Sequence, residues 1–111
     1  MSKLSQPKEA VFARRLRERR LALGLSQEAV GVAIGIDESC SRTRISRYET
    51  GKHEPAIAIS QLLSRALNVP LGYFYCDDDL EAEALVLIHA VSLDHKLRIV
   101  EVLRECLPSK L

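Results

Sequence analysis

Between Leu25 and Gly51 the chain reads LSQEAVGVAIGIDESCSRTRISRYETG. Two short segments of helical periodicity flank a polar turn, and each is bounded by residues that start or stop helices. Ser26 is an N-cap for a helix from Gln27 to Ile34, and Glu28 favours the positive end of its dipole. Val30, Ala33 and Ile34 point to one side, and Gly35 ends the helix. Residues 36–41, IDESCS, form the turn. A second helix runs from about Arg42 to Thr50, with Gly51 after it. Gly31 lies inside the first of these helices, where glycine costs about 1 kcal/mol against alanine. That cost predicts a close crossing of the two helices, for which a side chain would be too large.

The flanking sequence continues the helical pattern. A first helix from about Pro7 to Leu23 carries Phe12, Leu16 and Leu23 on one stripe and stops at Gly24. Beyond the loop KHEP, a helix from about Ile57 to Leu67 places Ile59, Leu63 and Leu67 at spacing four, with Asn68 as its left-handed cap. A short helix, Leu71 to Tyr75, buries Leu71 and Phe74. Asp77 to Asp79 then precede a helix from about Leu80 to Val91, and Ser92 or Asp94 caps a last one that ends near Pro108. No strand pattern appears, so the fold class is all-α: five helices followed by two amphipathic ones. The expected division is a disordered polar tail at 1–6, a helical domain at 7–76 and a helical extension at 77–111.

Net charge is +1 over 111 residues, but it is unevenly spread. Met1 to Pro55 holds 11 Lys/Arg against 7 Asp/Glu, and Ala56 to Leu111 holds 5 against 8. A basic front half points to a nucleic-acid face. Cys40, Cys76 and Cys106 are odd in number and far apart, without metal-ligand spacing, and read as reduced thiols. No apolar stretch approaches the ~20 residues a membrane span needs. The start, MSKLSQPKEA, lacks the apolar run of a signal peptide. A cytoplasmic location is expected. Paired catalytic carboxylates, a nucleophile elbow and a phosphate loop are all missing from the sequence, so neither enzyme activity, a cofactor nor a metal is expected.

On a wheel of 100° per residue, the helix from Arg42 divides cleanly. Ile45, Tyr48 and Glu49 fall on one side. Thr43, Ser46, Arg47 and Thr50 fall opposite, with Arg44 at the flank and Arg42 at the N-terminal tip. An apolar side that docks and an Arg-rich side that does not is what a helix entering the major groove requires. The planar fork of arginine matches O6 and N7 of guanine, and Ser and Thr reach bases or phosphates. The wheel alone leaves open a solvated face that is merely basic. Arg20 and Glu49 both fall on core-facing stripes. A charge there needs a partner, so a structural ion pair between them is expected.

The run LRERRLALGLSQEAVGVAIGI…RISRYETGKHEP…LLSRALNVPLGYFY resembles the lambda-repressor-like, Cro-type helix-turn-helix family of regulators, over about Phe12 to Tyr75. The resemblance implies a five-helix domain that binds double-stranded operator DNA as a homodimer. By position, Arg42, Thr43 and Arg47 would read bases and Arg44 a flanking base or phosphate, with Ser46 joining the base-reading set from the same face of the wheel, while Gln27, Thr50 and Lys52 would contact phosphates. Arg20 and Glu49 match the internal ion pair of the family. The chain departs from the family in one place. Between Ile36 and Ile45 lie eight residues, DESCSRTR, where about four are usual. The surplus either lengthens the turn or adds a turn of helix before Arg42. Asp37 and Glu38 are expected to face away from phosphate as caps, and Ser39 and Ser41 are expected to add phosphate contacts.

Residues 80–111 lie outside the resemblance. Leu80, Ala84, Leu87, Ile88 and Val91 share one face, and Leu93, Leu97, Val100, Leu103 and Leu107 another. These faces either close the core of the same monomer or form a dimer interface, with Leu87, Val91, Leu97, Val100 and Leu103 at its centre. The reading as a whole is a transcriptional regulator, a repressor in its simplest form. A second reading is an antitoxin-type component that binds operator DNA and a toxin as protein partner.

Overall fold

The structure, a computed structural model, describes residues 8–109. The polar tail and Pro7 lie outside the described residues. Six α-helices follow one another: α1 (Lys8–Ala22), α2 (Gln27–Ala33), α3 (Glu38–Glu49), α4 (Ile57–Ala66), α5 (Asp79–Ala90) and α6 (Leu93–Cys106). A short 3-10 helix, Leu71–Tyr75, separates α4 from α5. No strand occurs among the described residues.

The first four helices end in the same closure. After α3, Gly51 takes φ +77°. Its N–H donates to the Tyr48 carbonyl, and the N–H of Lys52 reaches back to the Arg47 carbonyl. This 6→1, 5→2 arrangement satisfies carbonyls that a helix end otherwise leaves bare. Gly24, Gly35 and Asn68 repeat it after α1, α2 and α4. Ser26, Asp37, Asp78 and Ser92 supply the side-chain caps at the starts of α2, α3, α5 and α6.

The core gathers Phe12 and Leu16 from α1, Val30 and Ile34 from the region of α2, and Ile45 and Tyr48 from α3. Leu63 and Leu67 add the inner face of α4, and Tyr73 and Phe74 close the base. The Phe12 and Phe74 rings lie 4.8 Å apart, tilted by 35°. Two expected core positions are exposed instead. Leu23 falls past the last residue of α1, where the helical stripe no longer continues. Ala33 is exposed because the inward face of α2 is spent on Val30 and Gly31.

Of the two readings of the surplus residues before the basic helix, the structure takes the added turn of helix. The helix starts at Glu38 rather than near Arg42. Asp37 caps it by accepting from the backbone N–H of Ser39 at 3.0 Å. The surplus residues therefore extend the helix by about one turn, roughly 6 Å, and Arg42 sits inside it rather than at its tip. The extension makes the close crossing. A Cβ built on Gly31 would stand 2.5 Å from Cβ and 2.9 Å from Cα of Ser41. Ser41 is fully buried, and its hydroxyl donates to the carbonyls of Ile36 and Asp37.

A second ionic assembly joins α1 to the start of α5. Arg15 is 2% exposed. It donates to the Cys76 carbonyl at 2.8 Å, the Asp77 carbonyl at 3.1 Å and Asp79 Oδ1 at 2.9 Å. Arg14 adds a bond to the same Asp79 oxygen at 3.0 Å. Arg15 lies on the Phe12–Leu16 stripe, so the logic that pairs Arg20 would also have flagged it. One partner, Glu18 at 3.0 Å, lies at helical spacing on α1 itself; those that reach α5 lie more than 60 residues away, beyond what periodicity reports. The latch sets the rotation of α5, which turns Ala82, Leu85 and Val86 inward. Of the stripe expected either to close the core or to form a dimer interface, Leu80 is 74% exposed and Leu87 59%, while Ile88 and Val91 are half-buried.

Two outcomes follow from this packing. Gly31→Ala should cost about 1–3 kcal/mol, since Ser41 backbone must yield to the new methyl; thermal denaturation followed by circular dichroism measures it. The hydrogen bonds and charges of Arg15 and Arg14 hold the Asp79 carboxyl below its ordinary value. A lowered folded pKa gives stability that is complete above about pH 4 and is lost as pH falls through the lowered value. Melting across an acid series should show that loss in the native chain and a smaller one in Asp79→Asn.

Candidate nucleic-acid interface

The exposed side of α3 faces an open concavity of about 560 Å³ between the start of α2 and the loop after α3. Gln27, Arg42, Thr43, Ser46, Arg47, Thr50 and Lys52 line it. All seven belong to the expected base and phosphate sets, and three of them are cationic. Each is held there by backbone features already described. Ser26 caps α2 and so fixes Gln27 in its first turn. The Gly51 closure turns the chain back, which brings Lys52 beside Arg47. Thr50 caps α3 and donates its hydroxyl to the Arg47 carbonyl at 3.3 Å.

The inner side of α3 fixes how far that face projects. Ile45 is fully buried, and Tyr48 and Glu49 nearly so. Arg20 Nε stands 2.6 Å from Glu49 Oε2, and Arg20 Nη2 stands 3.0 Å from Oε1. The geometry is that of a two-pronged, charge-assisted pair. Arg20 also donates to the Leu25 carbonyl at 3.0 Å, and Gln27 Nε2 donates to Glu49 Oε1 at 3.1 Å. The ion pair thus ties together α1, the link to α2, the first residue of α2 and the end of α3. It also restrains the amide of Gln27 at the rim of the concavity.

Three expected contact residues fall elsewhere. Ser39 spends its hydroxyl on Asp37. Ser41 does not reach the surface: the added turn of helix carries it under Gly31, and its hydroxyl is spent on carbonyls inside the fold. It is no phosphate ligand. Arg44 is exposed but outside the concavity, on the flank of α3, where its guanidinium donates to the Tyr48 hydroxyl at 3.3 Å.

The acidic residues of the turn are occupied locally. The Asp37 carboxylate accepts from the Ser39 hydroxyl and N–H, which holds its pKa below the ordinary value. Glu38 lies against Glu28 of α2, away from the basic concavity, in a shallow depression floored by Ala29, Val32, Ala33 and Ile36. The hydrogen bond with Glu38 raises the Glu28 pKa, while Arg42 pulls the other way. This carboxyl pair escaped the sequence reading because it depends on the extra helical turn.

The family model described as helix-turn-helix matches residues 16–74. An HTH-type transcriptional regulator of Sinorhizobium medicae and another of Rhizobium meliloti are each 38% identical over 63 residues. Those matches take in 57% of this chain and 42% of the relatives. A transcriptional regulator in the ATPase CF(0) region of Rhodospirillum rubrum is 35% identical over 69 residues, 62% of this chain and 60% of that one. The chain therefore spans less than two thirds of these relatives. Among solved structures, that of the transcriptional regulator BswR superposes with a TM-score of 0.79 at 29% identity. It covers 84% of this chain and 92% of BswR, so the similarity runs beyond the matched family segment.

The ion pair behind the concavity is testable by itself. Glu49→Ala leaves the Arg20 guanidinium buried without its counter-charge and should cost about 3–5 kcal/mol. Urea denaturation of the variant beside the native chain measures the loss.

Proposed function

This chain belongs to the lambda-repressor-like helix-turn-helix family, and we propose that it is a sequence-specific regulator of transcription that lays α3 in the major groove of operator DNA as a homodimer. The family is one of regulators rather than enzymes. The observation that carries the reading is the concavity itself. Three cations and four hydrogen-bonding side chains converge on the exposed side of a helix whose other side is locked into the core. A basic, donor-rich helix face of this kind suits both phosphate positioning and base readout.

Within that face, Arg42, Thr43, Ser46 and Arg47 read bases. Gln27, Thr50 and Lys52 take phosphates on either side of the groove, and Arg44 reaches a flanking phosphate. Occupying an operator blocks it to other proteins, so repression is the simplest output. Cytoplasmic action on the chromosome accords with it. A homodimer would read two half-sites about 34 Å apart or a multiple of that. The acidic extension could serve an antitoxin role as well, and a second chain retained by the protein expressed with its neighbouring genes would favour that reading.

Selection of bound duplexes from a random pool should yield a palindromic motif. Arg47→Ala should lose about 1–3 kcal/mol of affinity and relax preference at one base pair per half-site. An equal loss on every sequence would make Arg47 a phosphate contact. Failure to enrich any duplex at low salt would remove the DNA-reading function.

A further inference from the structure

Helix α6 has no buried residue. Only the two residues Val91 and Ser92 join it to α5, and it makes no substantial packing against any other helix. The Cα radius of gyration is 15.9 Å, against about 13 Å for a compact chain of this length. Yet α6 is apolar around more than half its circumference. Leu93 is 70% exposed, and Leu97, Val102 and Leu103 are each 57% exposed. The apolar stripe of such an amphipathic helix ordinarily faces a core, and its own monomer core does not cover it here.

The pattern of the helix indicates what covers it. Leu93, Leu97, Val100, Leu103 and Leu107 form a stripe that reads the same in both directions about Val100. Leu93 and Leu107 lie seven residues to either side, and Leu97 and Leu103 lie three. Turning a second copy by a two-fold axis through Val100 sets leucine against leucine and valine against valine. An interface of this symmetry must be complementary to itself. Sealing the two stripes removes on the order of 1,000 Å² from water, the threshold for a specific interface.

We propose that α6 pairs antiparallel with α6 of a second copy of this chain, on an axis at Val100. The pairing supplies the seam for the homodimer on which the DNA-reading function above rests. It joins the two copies through α5, whose start the bond of Arg15 to Asp79 fixes to the core of each copy.

The test uses the full chain without DNA, with Cys40, Cys76 and Cys106 replaced by serine. Val100→Cys in that background should form a disulfide-linked dimer under mild oxidation. Leu93→Cys and Leu107→Cys should not, because antiparallel pairing separates each from its own copy by about 21 Å along the helix. In sedimentation equilibrium, Leu97→Asp should raise the dimer dissociation constant about 100-fold or more; its exposed position spares the fold. Equal cross-linking at positions 93, 100 and 107 would mean parallel helices and overturn the proposal. So would a dimer indifferent to Leu97→Asp, or a native chain that sediments as a monomer. A chain that cross-links as expected but selects no duplex would keep the seam and remove the DNA-reading function. A dimeric DNA reader that fails to cross-link would do the reverse.

Discussion

The buried pair of Arg20 and Glu49 holds the domain in register. Each partner taken alone would be a charge stranded in the core. Together they meet through two short hydrogen bonds, and each spends its remaining capacity on the chain around it. Arg20 also grips the Leu25 carbonyl, and Glu49 also accepts from Gln27. Replacing a buried pair by apolar residues often leaves stability unchanged or improved. The value of this one lies in position: it sets the end of α3 against α1 and the first turn of α2, the elements that bound the basic concavity.

At the other end of α3 the constraint is steric. Gly31 and Ser41 approach so closely that a Cβ on Gly31 would press on the Ser41 backbone and side chain. The extended start of α3, capped by Asp37, brings Ser41 to that crossing. One helix is thus pinned twice, by charge at its C-terminal end and by contact near its N-terminal end. The same added turn that withdraws Ser41 from the surface puts Glu38 beside Glu28, so negative charge collects on the side of α2 away from Arg47 and Lys52.

The extension follows a different rule. Arg15 fixes its first residues to α1 through backbone carbonyls and Asp79, and α5 lays Ala82 on the core. From Val91 onward the chain leaves the domain and carries its apolar stripe with it.

The all-helical architecture was legible from local signals: caps at Ser26 and Ser92, left-handed stops at Gly24, Gly35, Gly51 and Asn68, and stripes at helical spacing. Such signals act over one or two turns, which is the range sequence periodicity reports. The wheel likewise separated Thr43, Ser46, Arg47 and Thr50 from Ile45, Tyr48 and Glu49, because a helix fixes which side chains share a face. It could not tell where α3 begins, since DESCSR suits a capped turn and a capped helix equally well. Only docking against α2 decided that, and with it the burial of Ser41. Nor could it give the rotation of α5, whose apolar residues exceed one face. The bonds of Arg15 to Cys76, Asp77 and Asp79 chose the inward side, through contacts over 60 residues apart that no local pattern encodes. The sequence by itself determined the helices and their faces. Tertiary packing chose which face is spent on the core and which stays exposed, because burial is settled by what packs opposite.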